Sequence, residues 1–174
     1  MKATSNHIAK RSLDEKPECR VLQVFNSLAM GGAETWLMAL LKYFHQADDL
    51  PVKVRMDVCL TGGKRYVFDD EAESLGAHLF YPHFTRKNTL SFARQFRQIL
   101  LKGRYHAIHD HQDYAAGLRF AMGVGCLPPV RVAHVHNTSF SVNNYNASLP
   151  RRLTFQLAKK FLSQTATHIA STSQ

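Results

Sequence analysis

Apolar and polar positions along this chain switch repeatedly between a period of two and a period near 3.6. Arg20 to Asn26 (RVLQVFN) is short, β-branched and apolar, bounded by Pro17 and by Ser27 to Gly32, and predicts a first strand. From Ala33 to Gln46 the residues Trp36, Leu37, Leu40, Leu41 and Phe44 fall on one helical stripe. Val52 to Leu60 alternates again and closes at Thr61-Gly62-Gly63, a second strand. The acid-rich Phe68 to Leu75 fits a short helix ending at Gly76, and Ala77 to Tyr81 a strand stopped by Pro82. Thr89 to Lys102 is amphipathic, with Gly103 as its expected stop. Tyr105 to His109, Tyr114 to Met122, Val130 to Val135, Arg151 to Phe161 and Thr167 to Ser171 continue the series as strand, helix, strand, helix and strand.

Strands alternating with helices over short connections have one stable solution, a mostly parallel sheet covered by helices on both faces. The expected fold class is therefore doubly wound α/β. Residues 1–18 read as a flexible polar arm and residues 19–174 as one domain. In such sheets ligands bind outside the carboxyl ends of the strands, where strand order reverses.

Composition narrows the partners. Lys and Arg number 22 against 13 Asp and Glu, a net charge of +9, which favours anionic ligands or surfaces. Nucleic acid is not expected, because no RNA-recognition, zinc-finger or helix-turn-helix signature accompanies the charge. Cys19, Cys59 and Cys126 are far apart and odd in number, which suits reduced thiols in an intracellular protein. Met1 to Lys16 lacks the apolar stretch of a secretory signal, and no apolar run approaches the length of a membrane span. The expected location is cytoplasmic, with peripheral contact at the inner face of a membrane as an extension.

Three segments carry candidate chemistry. Gly31 and Gly32 join the first strand to the first helix, where free amides and the positive helix end suit an anion and the missing Cβ atoms allow close approach. A turn that merely redirects the chain would look the same. A nicotinamide site is excluded, since GxGxxG and the acidic residue ending strand two are both absent, and Gly62-Gly63-Lys64 lacks the spacing of a P-loop.

Half of the histidines, His106, His109, His111, His134 and His136, cluster at or near the ends of strands four and five. Residues two apart on a strand share a face, so His109 with His111, and His134 with His136, form two pairs. A metal-dependent hydrolase using His109, His111, Asp113 and His136 is the rival reading, although no third-ligand pattern such as HExxH is present. For His106 and His134 hydrogen bonding at strand ends is the simpler expectation; for His136, contact with a ligand hydroxyl or phosphate. The last helix combines Arg151, Arg152, Lys159 and Lys160 with Leu153, Phe155, Leu157, Phe161 and Leu162, which suits either packing on the sheet or resting on anionic lipid.

Taken in order, Met30-Gly31-Gly32-Ala33-Glu34, His109-Asp110-His111 and Val132-Ala133-His134-Val135-His136-Asn137-Thr138 resemble the N-terminal half of the retaining family 4 glycosyltransferases of the GT-B fold, which build bacterial polysaccharides and glycolipids. The resemblance covers roughly residues 20 to 174 and implies a Rossmann-like domain, one half of a GT-B enzyme. It implies hexosyl transfer from a nucleotide-sugar donor to a glycan or lipid-linked acceptor with retention, and no bound metal or other cofactor. Carried over residue by residue, it puts Gly31 and Gly32 near the donor diphosphate and His136 near the reacting sugar, as the catalytic position. Glu34, His111 and Asn137 become lining residues of the cleft. Family members continue into a second domain with a Glu-x7-Glu stretch, whereas this sequence stops at Gln174. The expectation is a truncated product or one part of a split enzyme, with a partner chain supplying the donor domain. A further reading is a non-catalytic binding fragment. Alone, the chain is expected to fold but to show little transfer.

Overall fold

The computed structural model describes residues 16–136 and 148–171. Strand β1 (Glu18–Phe25) alternates its side chains between two cores: Leu22 and Val24 enter one, Phe25 the other. Helix α1 (Gly32–Gln46) buries Leu37, Met38 and Leu41 against the Phe25 side. Strand β2 (Lys53–Leu60) adds Met56, Val58 and Leu60 to that core, and helix α2 (Asp69–Ser74) contributes Ala72. The strand expected over Ala77 to Tyr81 narrows to β3 (Leu79–Phe80), because only Val58 and Cys59 of β2 pair with it.

On the other face, helix α3 (Thr89–Gly103) buries Phe92, Phe96, Ile99 and Leu100. Strand β4 (Ala107–Asp110) contributes Ile108 and strand β5 (Val130–Val135) contributes Ala133 to the same core. The expected helix from Tyr114 splits into a 3-10 turn (Asp113–Ala115) and helix α4 (Ala116–Met122). The 3-10 turn starts at Asp113, whose φ of 50° is unusual for a residue with a side chain. Helix α5 (Leu149–Thr165) then leads into strand β6 (His168–Ser171). Gly117 of α4 lies so close to α5 that a Cβ there would run into the Ala158 carbonyl oxygen, so the two helices cross backbone against backbone.

The helix stop at residue 103 has a different cause from the one expected. Gly103 is the last helical residue, and the left-handed cap falls on Arg104, with φ 46°. Gly103 is needed instead because any Cβ would strike the buried ring of Tyr105.

All strand pairs are parallel, in the order β3-β2-β1-β4-β5-β6. This is the Rossmann-like doubly wound sheet expected from the alternation, as in half of a GT-B fold. Chain direction across the sheet reverses between β1 and β4, so the crevice outside their carboxyl ends is the switch point. The α1 face of β4 and β5 carries His109 and His134, since Ile108 and Ala133 take the opposite face.

Candidate functional site

Four imidazoles gather at the carboxyl ends of β4 and β5. Parallel pairing sets Asp110 beside Ala133, which brings His111 and His134 into neighbouring positions. Ring centroids lie 3.9 Å apart for His109 and His111, 4.1 Å for His134 and His136, and 5.4 Å for His109 and His134. His111 also stacks on Phe25 at 4.2 Å, which ties the cluster to the α1-side core.

The hydrogen bonds set the proton positions. His111 Nε2 lies 2.9 Å from Gln23 Oε1, an acceptor, so His111 carries its proton on Nε2. Its Nδ1 is then a lone pair, and it lies 3.3 Å from His136 Nε2, which must donate. His136 is thereby left with its own lone pair on Nδ1. The backbone amide of His136 donates to Asp113 Oδ1 at 2.7 Å, so main chain and ring are anchored separately.

Asp110, between His109 and His111, is fully buried and meets Arg119 of α4 in a two-pronged pair, Nε to Oδ2 at 2.5 Å and Nη2 to Oδ1 at 2.6 Å. Its Oδ1 also accepts the Gln112 amide at 2.9 Å, and the Gln112 side chain bonds Thr61 at the end of β2. This network fixes where β4 ends and therefore where His111 stands.

Burial, reinforced by neighbouring imidazoles, pushes His109 down to about 4 and His111 down to about 2, and lowers His134 as well. Near neutral pH His109 and His111 are uncharged. The unfolded chain takes up protons at these two rings below pH 6.5 while the folded chain does not, so their contribution to stability is complete above that pH and lost as pH falls. Between pH 6.5 and 4 each ring is expected to remove up to about 1.4 kcal/mol per pH unit. Urea unfolding midpoints measured across that range would check this; a flat profile would contradict it.

Gly31 caps α1 in extended conformation, φ −150° and ψ 168°. A Cβ on Gly31 would collide with Glu34 Oε2, so the Glu34 carboxylate lies over the start of the helix. Beside Gly32 the space is open, with no atom within 4 Å of where a Cβ would stand. One turn further, Trp36 is 43% exposed, and its ring centroid lies 5.9, 5.6 and 6.4 Å from those of His109, His111 and His134. The glycine turn and His136 thus both follow the carboxyl ends of their strands, and Trp36 and His136 each lie against His111.

Several expectations change. Asn137 lies outside the described residues. His106 behaves as a strand-end histidine, its Nδ1 accepting the Arg20 amide at 3.0 Å. His134 does not, because its Nδ1 is buried with no hydrogen-bond partner among the described residues. Among the described residues the group whose ligand atoms lie close enough for a metal is His109, His111 and His134, and it includes neither Asp113 nor His136. Gln23 and Trp36 were not singled out as site residues. Gln23 betrays itself only as a polar residue on an inward position of β1, and Trp36 counts as one more apolar position in its stripe.

Fold and site together define a Rossmann-type α/β domain with a histidine cluster at the carboxyl ends of β4 and β5, beside the β1/β4 switch point. The family model described as Glycosyltransferase Family 4 matches residues 30–174, and the chain belongs to that family. It is similar to EpsF of Bacillus subtilis, whose name assigns it provisionally to the glycosyltransferases, with 35% identity over 123 residues, 70% of this chain and 31% of that protein. It is also similar to CapH of Staphylococcus aureus, a capsular polysaccharide biosynthesis glycosyltransferase, with 28% identity over 127 residues, 73% of this chain and 33% of that protein. The matched region spans about a third of the length of these curated relatives.

Proposed function

We propose that this chain is the acceptor-side half of a retaining glycosyltransferase that moves a hexosyl group from a nucleotide-sugar to a glycan or lipid-linked acceptor, in polysaccharide biosynthesis. The observation that carries this reading is the hydrogen-bonded series Gln23, His111, His136, which leaves a lone pair on His136 Nδ1 at the sheet edge that also holds the glycine turn. In this reading His136 holds a hydroxyl of the reacting sugar and is the catalytic position, while Gly31 and Gly32 admit the donor phosphates to the α1 amides. His111 and Glu34 line the cleft, and the nucleotide-binding half comes from a second domain or a partner chain.

The location proposed is cytoplasmic. No described helix is long and apolar enough to cross a membrane. Peripheral contact with anionic lipid is supported by α5, where Leu149, Leu153 and Leu157 are exposed along one stripe that the exposed Lys160 shares.

Gly32→Leu tests the reading. The added side chain enters open space, so folding should be kept, with a melting temperature close to the parent. Transfer from a nucleotide-sugar, assayed with the donor-binding domain present in the same chain or in trans, should fall at least about 100-fold in kcat/KM as the phosphate approach is blocked. Transfer at the parental rate would sink the proposal.

A further inference from the structure

We infer that His109, His111 and His134 form a binding site for one divalent transition ion of the zinc class, set beside the proposed sugar cleft. The three residues each bring one ligand nitrogen within 4.8 Å of the others. Two of the rings carry a nitrogen that is buried and unbonded, Nε2 of His109 and Nδ1 of His134. Such atoms are costly to bury without a partner. Gln23 does for His111 what outer-shell acceptors do for metal-bound histidines, fixing the proton on Nε2 and leaving Nδ1 free to ligate.

Geometry and chemistry select the ion. Nitrogens no more than 4.8 Å apart leave a centre at most about 2.8 Å from each, whereas zinc–imidazole bonds are about 2.0–2.1 Å, so each ring would move inward by at most about 0.7 Å. Three neutral imidazoles with no carboxylate in the set suit zinc, nickel, cobalt or copper and are poor ligands for magnesium or calcium. With three protein ligands a fourth position stays open, and the Trp36 ring lies 5.9, 5.6 and 6.4 Å from the three imidazoles, near enough to report an ion there. Because His111 Nδ1 is the atom that accepts from His136, ligation and the His111–His136 hydrogen bond exclude one another.

The test is a titration of the purified protein with zinc and with nickel. Trp36 is the sole tryptophan of the 174 residues, so nickel should quench its emission, saturating at one equivalent. Zinc should bind with a Kd at or below about 1 μM and displace nickel, and excess magnesium should not. The double variant His109→Ala, His134→Ala should weaken binding at least about 100-fold, while His106→Ala leaves it unchanged. X-ray absorption of the protein loaded with one equivalent of zinc gives a reading independent of any variant's folding, and three imidazole ligands are expected. Zinc bound by fewer than three imidazoles, a Kd weaker than about 100 μM, or tight binding that survives the double substitution would each overturn the site.

Discussion

Arg119→Ala is expected to destabilise the domain by about 3–5 kcal/mol, read as the loss of unfolding free energy in urea. The size follows from what is left behind. Asp110 is 0% exposed and Arg119 4%, so removing the guanidinium strands a carboxylate that water cannot reach and that keeps, among the described residues, only the Gln112 amide as a donor. Domains of this size are stable by about 5–15 kcal/mol in total, so the variant should lie near the edge of folding. The pair as such need not stabilise the fold: replacing both members, Asp110→Leu with Arg119→Met, is expected to recover most of the loss, because no buried charge then remains. A cost below about 1 kcal/mol for Arg119→Ala would show that the pair is solvated. The same variant should reach the site as well, since Asp110 sets the turn that places His111 after β4.

Much of this architecture was legible because burial leaves a periodic trace. The stripe of Leu37 and Leu41 and the alternation in Val52 to Leu60 are direct signatures of elements with one face on a core, and they locate α1 and β2 closely. Where the outcome depends on a partner rather than on burial, the pattern is silent. Gly103 signals a helix end whether it serves as the left-handed cap or makes room for Tyr105, and only packing distinguishes the two. The histidines divide along the same line. A period of two puts His109 and His111 on one face, but their convergence with His134 requires β4 and β5 to be neighbours in one register, which is a property of the sheet. His106 and His134 carry the same side chain, but His106 lies just before β4 and accepts a backbone amide, whereas His134 lies near the carboxyl end of β5 with a buried nitrogen unbonded among the described residues. Gln23 is the extreme case. It is a single polar residue in an apolar strand, and it matters only because a chain segment 88 residues later brings an imidazole to its carbonyl.

His136→Ala is expected to lower transfer at least about 100-fold, mostly in kcat, while leaving the fold nearly intact. The two anchors of this residue separate the effects. Asp113 accepts the backbone amide at 2.7 Å, a bond alanine retains, so the end of β5 should stay in place and melting should shift little. What disappears is the ring, and with it the Nδ1 lone pair left by the Gln23–His111 series, which the proposed role assigns to the sugar. His111→Ala should behave differently: His111 is buried, stacks on Phe25 and bonds Gln23, so stability should fall along with rate. Gln23→Met separates positioning from packing, because it keeps an apolar stem of similar length but removes the acceptor that holds the His111 proton on Nε2. On the proposed roles it should lower kcat more than it raises the acceptor KM. Parental transfer by His136→Ala, assayed with the donor-binding domain present, would remove the imidazole from the reaction and return the whole histidine cluster to a structural or metal-binding role.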